Sequence, residues 1–266
     1  MRNFADKQQS KLHENFTETN WLGYAQHTDR LLEWTTFYRR NLHRFVQHYL
    51  GLKMHIYQQI ILYLINLNPS FCMVAARAAA KSYIIAVYAC AKAILYPRSL
   101  IVIASATKGQ ASLIVAEKIR NEIYRNSYNL QQEIKNIITN ANNNEVFFKN
   151  GSTIRVVPAS DNARGSRATV LIYEEFRQIN KTIIETVLSP MLINRQVPYL
   201  FLPEYEKMYN ELHEEPASIY ISSSWFKSHW MWSVMRQSMN NMLDCETSYM
   251  ICMDWHLQYW YIADNC

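Results

Sequence analysis

The chain has 266 residues, 49% of them hydrophobic and 18% charged, with a formal net charge of +5. That length suits one large domain or two small ones, and the apolar content is enough for a packed core. The mildly basic balance permits a nucleic-acid partner without requiring one. The five cysteines are scattered without C-x-x-C spacing, which argues for reduced thiols over a metal site or a disulfide framework.

Residues 1–20 are polar, carry no secretory signal and are expected to be loose. From Leu31 to Leu50, apolar residues recur at helical spacing (Leu31, Trp34, Tyr38, Leu42, Phe45, Tyr49), with Arg39, Arg40 and Arg44 between them. This pattern predicts an amphipathic helix with a basic face. A second helix is expected from Met54 to Asn66, ended by Asn68-Pro69. Strands and helices then alternate. Phe71–Ala75, Leu100–Ser105, Thr169–Tyr173 and Ser218–Ser222 read as buried strands. Lys81–Leu95, Thr107–Arg125, Ile183–Met191 and a segment from about Ser228 read as helices. Val146–Lys149 and Thr153–Val157 flank Asn150-Gly151, a hairpin signal. Residues 198–216 read as a surface excursion. Apolar strands separated by helices imply a parallel sheet covered on both faces. The longest apolar run, Tyr83 to Ala91, lies between Lys81 and Lys92 and falls far short of the roughly 20 residues a membrane span needs. A soluble intracellular protein is expected.

Three features bear on chemistry. The first is Ala75-Ala76-Arg77-Ala78-Ala79-Ala80-Lys81-Ser82. It keeps the Lys-Ser ending of the phosphate-binding pattern G-x-x-x-x-G-K-[ST] but has alanine at both glycine positions. Taken by itself, the string also suits an alanine-rich helix. A buried strand before it and an apolar helix after it would aim free helix N–H groups at an anion. Lys81 would then reach the terminal phosphates, and Ser82 would bind Mg²⁺. The second is TVLIYEEF, Thr169 to Phe176, a hydrophobic strand ending in two carboxylates. Mg²⁺-dependent phosphoryl transfer needs one acid to hold the metal and another to orient water. An exposed strand-end acid pair is the plain alternative. The third is Gln58, whose amide could meet the edge of adenine; Gln59 is its neighbour and rival.

Taken together, "FYRRNLHRFVQHYLGLKMHIYQQIIL", "VAARAAAKSYIIAVYACAKAILYP", "LIVIASATKGQASLI", "FKNGSTIRVVPASDNARGSRATVLIYEEF" and "IYISSSWFKSHWMW", spanning about Trp34 to Trp232, resemble the ATPase part of the large terminase subunit of tailed bacteriophages. The resemblance implies an α/β P-loop NTPase of the ASCE type, with a mainly parallel central sheet flanked by helices and an N-terminal helical extension. It divides the chain into a polar arm (1–30), an ATPase domain (31–240) and the start of a linker or C-terminal region (241–266). It implies a motor that hydrolyses ATP with Mg²⁺ and moves double-stranded DNA into a procapsid in the host cytoplasm. The implied partners are a portal protein and a small terminase subunit, and the motor would work as a homo-oligomeric ring.

The resemblance also assigns residues. Ala76, Arg77, Ala78, Ala79, Ala80, Lys81 and Ser82 form the Walker A loop, and Arg77 reports on the γ-phosphate. Glu174 supports Mg²⁺ and Glu175 is the catalytic carboxylate of a Walker B strand. Gln58 recognises adenine. Ser222, Ser223 and Ser224 form the coupling segment. Arg164, in NARGSRA, acts on the neighbouring subunit's ATP, with Arg167 as rival; a DNA-phosphate contact or a surface ion pair is the other use of Arg164.

Two departures stand out. If the loop needs φ > 0 at Ala80, alanine there costs about 1–2 kcal/mol. The residues after Trp232 are too few for the C-terminal nuclease domain of such subunits, so no DNA cleavage is expected of this chain. Candidate DNA contacts are Lys108, Lys118, Arg120, Arg155 and Lys181. The alternatives are a helicase-like P-loop ATPase, or a scaffold derived from an ATPase and weakened at Ala80. The three tryptophans of SSSWFKSHWMW would pack a helix into the core or seat another domain or a portal.

Overall fold

The computed structural model describes residues 33–140, 143–193, 214–244 and 246–254. The expected polar arm, the 198–213 part of the excursion and the chain after Asp254 lie outside these residues.

Eight strands form one sheet: β1 (Ser70–Ala75), β2 (Leu100–Ser105), β3 (Ile134–Thr139), β4 (Asn144–Phe148), β5 (Thr153–Pro158), β6 (Val170–Glu174), β7 (Ala217–Ser222) and β8 (Ser248–Met253). Their order is β3-β4-β5-β2-β6-β7-β1-β8. From β5 to β8 all pairs are parallel, while β3-β4 and β4-β5 are antiparallel. Asn150-Gly151 makes the expected turn of the β4-β5 hairpin, with Gly151 at φ +85°. The Asn150 side chain also donates to the carbonyls of Ala93 and Ile94 at 2.8 and 3.1 Å, tying the hairpin to the end of the Lys81–Leu95 helix.

The central strands are apolar throughout because both faces are covered. Alternation assigns the faces. Phe71, Met73, Ala75, Ile101, Ile103, Val170 and Ile172 join the core beneath the Lys81–Leu95 helix. Cys72, Val74, Val102, Ala104, Leu171 and Tyr173 join a second core with Met231 and Met235, from the helix Met231–Leu243. The Lys81–Leu95 helix is buried nearly all round, since the helices Leu42–His48 and Ile56–Leu67 pack over it. The long amphipathic pattern at the start is broken at Asn41 into helical residues 33–40 and Leu42–His48.

The segment expected as one helix from Thr107 to Arg125 is regular only over Lys108–Leu113 and Tyr124–Asn126. Between them, Ile114–Ile123 takes wider π-helical turns. The helix expected over Ile183–Met191 is likewise irregular, passing through Ile184–Leu188 in π turns and Ser189–Met191 in a 3₁₀ turn. Among the described residues no helix is long and apolar enough to cross a membrane.

Candidate functional site

In an open parallel sheet, ligands bind beyond the carboxyl ends of the strands. The three sequence features meet there. β7 lies between β1 and β6, with Val74 level with Ser222 and Glu174 level with Ile221. The alanine loop, the acid pair and the serine run therefore emerge side by side.

Loop geometry explains how alanine serves where glycine is expected. Ala78 and Ala80 both adopt the left-handed conformation, at φ 65° and 49°. The strained positions thus fall on the smallest residues that still carry a Cβ. Ala80 precedes the Lys81–Leu95 helix, so Lys81 and Ser82 occupy its first turn. The Lys81 ammonium is buried and donates to the carbonyls of Ala75 and Ala76 at 3.3 and 2.8 Å. Burial lowers its pKa, and the charges of Glu175 and Glu174 oppose that shift.

Strand alternation also sorts the two acids. Glu174 follows Val170 and Ile172 on the helix-covered face, so its carboxylate meets the Ser82 hydroxyl, which donates to it. Burial raises the Glu174 pKa, a shift that the Ser82 bond opposes. Glu175 follows the strand, at the entry to the turn Phe176–Gln178, with φ 47°, a strained conformation for this residue. Its Oε2 accepts from Arg177 Nε at 2.9 Å, from the Ser222 hydroxyl at 3.2 Å and from the Ser223 amide at 3.3 Å. Its Oε1 accepts from the Ser223 hydroxyl at 2.8 Å. Burial would raise its pKa, but the bonds from Arg177 and Ser223 and the Lys81 charge outweigh this and leave it lowered.

A cavity of about 530 Å³ opens above these groups. Arg77, Lys81, Lys118 and Arg177 supply cations to its wall, against the carboxylates of Glu122 and Glu175. Lys118 pairs with Glu122 across one turn of the π-helical segment. This excess of positive charge over a helix N-terminus suits a polyphosphate. A second cavity of about 230 Å³ adjoins it, with Ser82, Glu174 and Glu175 in its wall. Among the described residues no group of three or more His, Cys, Asp or Glu could hold a metal alone. The Ser82-Glu174 oxygen pair still fits Mg²⁺, which keeps several waters and takes few protein ligands beside substrate phosphates.

Other nominated residues lie apart from this cluster. Gln58 is buried, but its carbonyl accepts from the His55 amide at 2.9 Å and its NH₂ donates to the Tyr57 hydroxyl at 3.3 Å. Both ends of its amide are thus engaged within its own helix start, and it is not part of the 530 Å³ cavity wall. Its rival Gln59 donates to the Met54 carbonyl at 2.9 Å. Ala76 and Ser224 line a separate cavity with Met231, Trp232 and Met253. Arg164 is exposed, follows the turn Asp161–Ala163 and pairs with Asp161 at 3.0 Å. It lies outside its own subunit's cavity wall, as does Arg167.

Of the DNA candidates, Lys118 is in the cavity wall. Arg155 pairs with Glu145 at 2.7 Å, Lys181 with Glu185 at 3.5 Å, and Arg120 donates to Thr139 at 3.1 Å. The Lys108 side chain lies outside the described set. Arg177 was missed by sequence reasoning; its only signal was its place two residues after the acid pair. The tryptophans divide: Trp230 packs edge-on to Phe176 at 5.7 Å, while Trp225 and Phe226 are exposed.

Among solved structures, the HK97 bacteriophage large terminase matches with a TM-score of 0.55 and 13% identity, over 82% of this chain and 43% of that one. The Thermus phage P74-26 large terminase ATPase domain matches at 0.45 and 16%, over 73% and 89%. The bacteriophage D6E large terminase in complex with ATP-γ-S matches at 0.48 and 11%, over 75% and 44%. The chain thus spans less than half the length of the HK97 protein. No curated protein sequence matches it. The model of the T4-like-virus type of large terminase subunit, N-terminal part, matches residues 72–237. With the P-loop strand, the acidic strand and the strand between them in one parallel sheet, the chain belongs to this family of large terminase subunits.

Proposed function

We propose that this chain is the ATP-hydrolysing motor domain of a viral DNA-packaging terminase, acting in the host cytoplasm on double-stranded DNA at a procapsid portal. The observation that carries the reading is the meeting of Lys81 and Ser82, on one helix N-terminus, with Glu174 and Glu175 at the end of a strand two places away.

In this reading the first turn of the Lys81–Leu95 helix and the loop amides hold the phosphates, with Arg77 at the γ-phosphate. Lys81 leaves the Ala75 and Ala76 carbonyls to reach them. Ser82 and Glu174 would hold Mg²⁺, which would supply positive charge to neutralise the phosphates. Glu175 orients the attacking water. Ser222 and Ser223, bonded to Glu175 here, carry the change at the phosphate into β7 and onward to Ser224 and Trp225. Gln58 serves adenine recognition only if it releases the His55 amide. Arg164, exposed and outside its own cavity, suits contact with a neighbour's nucleotide in a ring. The ATPase domain would begin near residue 31, after the polar arm, and run past the expected boundary at 240 to at least Met253, because β8 pairs with β1 in the same sheet. DNA would be held through phosphates, so its binding should weaken steeply with salt.

The test is ATP hydrolysis with linear duplex DNA by the wild type and by Lys81→Ala. The reading expects turnover by the first and loss of at least two orders of magnitude in the second. Inert wild-type protein with DNA, portal and small subunit present would overturn it.

A further inference from the structure

Arg177 is the one cation of the cavity wall that also grips the water-orienting carboxylate. Its side chain is only 9% exposed, and its Nε donates to Glu175 Oε2 at 2.9 Å. The guanidinium lies 4.3 Å from the centre of the Trp225 ring, a cation–π contact with the segment directly after the serine run. The turn that presents it, Phe176–Gln178, is pinned from beneath by Phe176, which is fully buried against Tyr220 and Trp230. Arg177 is therefore held in place by packing as well as by charge.

This arrangement closes a ring of contacts: Glu175 to Ser222 and Ser223, along the chain to Trp225, across the stack to Arg177 and back to Glu175. Glu175 Oε2 accepts three hydrogen bonds within that ring, which fixes the carboxylate against β7. Among the described residues Arg177 bonds to it through Nε alone. The two terminal amino groups of the planar fork stay available for a second anion in the cavity that Arg177 lines with Arg77 and Lys81.

We propose that Arg177 is a positioning residue for Glu175 and a sensor of the nucleotide's terminal phosphate. When the phosphate arrives, the guanidinium exchanges its Glu175 bond for phosphate oxygens, and Glu175 is released to orient water. Because the guanidinium leaves or shifts on Trp225, the same exchange moves the segment after β7. The inference rests on the ATPase reading above and adds a residue to it. No bond is made or broken by Arg177; it exchanges hydrogen bonds between two anions.

The experiment measures steady-state ATP hydrolysis with duplex DNA for wild type, Lys81→Ala, Arg177→Ala and Arg177→Lys. It also follows tryptophan emission on adding Mg-ATPγS, with Trp225→Phe to identify the Trp225 signal. In Arg177→Ala, kcat is expected to fall by about 10²-fold with KM little changed. The Trp225 emission change should vanish. Arg177→Lys keeps the charge without the planar fork and should recover part of kcat. An Arg177→Lys protein with the wild-type fold by circular dichroism and a wild-type rate and emission change would overturn the inference, while an inert Lys81→Ala would leave the ATPase reading standing. If wild type and Lys81→Ala are equally inert, both fall together.

Discussion

Glu174 and Glu175 are neighbours in the chain and respond to folding in opposite directions. Glu174 has its pKa raised by burial, so its ionisation works against the fold. A raised acid pKa gives stability that is full below the ordinary carboxylate value of 4.5 and lost as pH rises through the folded value. Glu174→Gln should therefore raise the urea midpoint at neutral pH, with the gain shrinking as pH falls through the raised folded value and gone below about pH 4.5. Glu175 has its pKa lowered in total, so its stability is present above 4.5 and lost as pH falls through the folded value. Glu175→Gln should lower the midpoint at neutral pH and converge with wild type in acid. Two midpoint curves against pH check both signs; shifts of the same sign would contradict the assignment of environments. Ala78 and Ala80 offer a second check. Relief of about 1–2 kcal/mol of left-handed strain, less about 0.5–1 kcal/mol of glycine's added chain entropy, leaves a gain of up to about 1.5 kcal/mol for Ala80→Gly in urea unfolding. A loss of stability there would mean that the positive φ at Ala80 is not strained. Glu174 and Glu175 were legible as a strand-end pair. Their separate environments were not, because these depend on which face of the sheet each meets.

Among the elements, the Lys81–Leu95 helix is held at both ends. At its start sit the loop and Lys81; at its end Arg39 donates to the Leu95 carbonyl at 3.0 and 2.7 Å and stacks on Tyr96 at 4.4 Å. Lys92 lies over the same ring at 3.8 Å. The sequence placed Arg39 on a solvent-facing basic stripe, yet the structure buries it as a C-terminal clamp. Periodicity gives the stripe but not what packs against it. Arg39→Ala should cost about 2–3 kcal/mol, from lost charge-assisted hydrogen bonds and ring contact. Chemical denaturation checks this, and a change under about 0.5 kcal/mol would refute the clamp. The strands β1, β2, β6 and β7 were readable because parallel strands buried on both faces are apolar runs. β3 and β8 were not, since edge strands need only one covered face, and β8's Ser248–Met253 has a single β-branched residue, Ile251, among serine, methionine and cysteine. The π-helical stretch Ile114–Ile123 also lay beyond a pattern search, since its apolar spacing still suits an ordinary helix.

For the assembled molecule, the order of the parallel strands brings residues 146 positions apart in the chain, Arg77 and Ser223, into the wall of one cavity. Sequence supplied the parts of the site; only topology supplied their neighbours, which is why Arg177 and Lys118 had no assigned place in it. The position of Arg164 makes a claim about assembly. Arg164→Ala and Lys81→Ala should each be inactive alone, yet a mixture should regain turnover, because a Lys81→Ala subunit can lend its Arg164 to a neighbour with an intact site. A mixture as inactive as its components would contradict action across the interface. The central claim is that an alanine loop at the end of β1 holds nucleotide phosphates against Glu174 and Glu175. Titration with Mg-ATPγS tests it most directly. One-to-one saturable binding is predicted for wild type and for Glu175→Gln, weakened at least about tenfold, or roughly 1.4 kcal/mol, in Lys81→Ala. Binding by Lys81→Ala as tight as by wild type, or none by wild type, would contradict it.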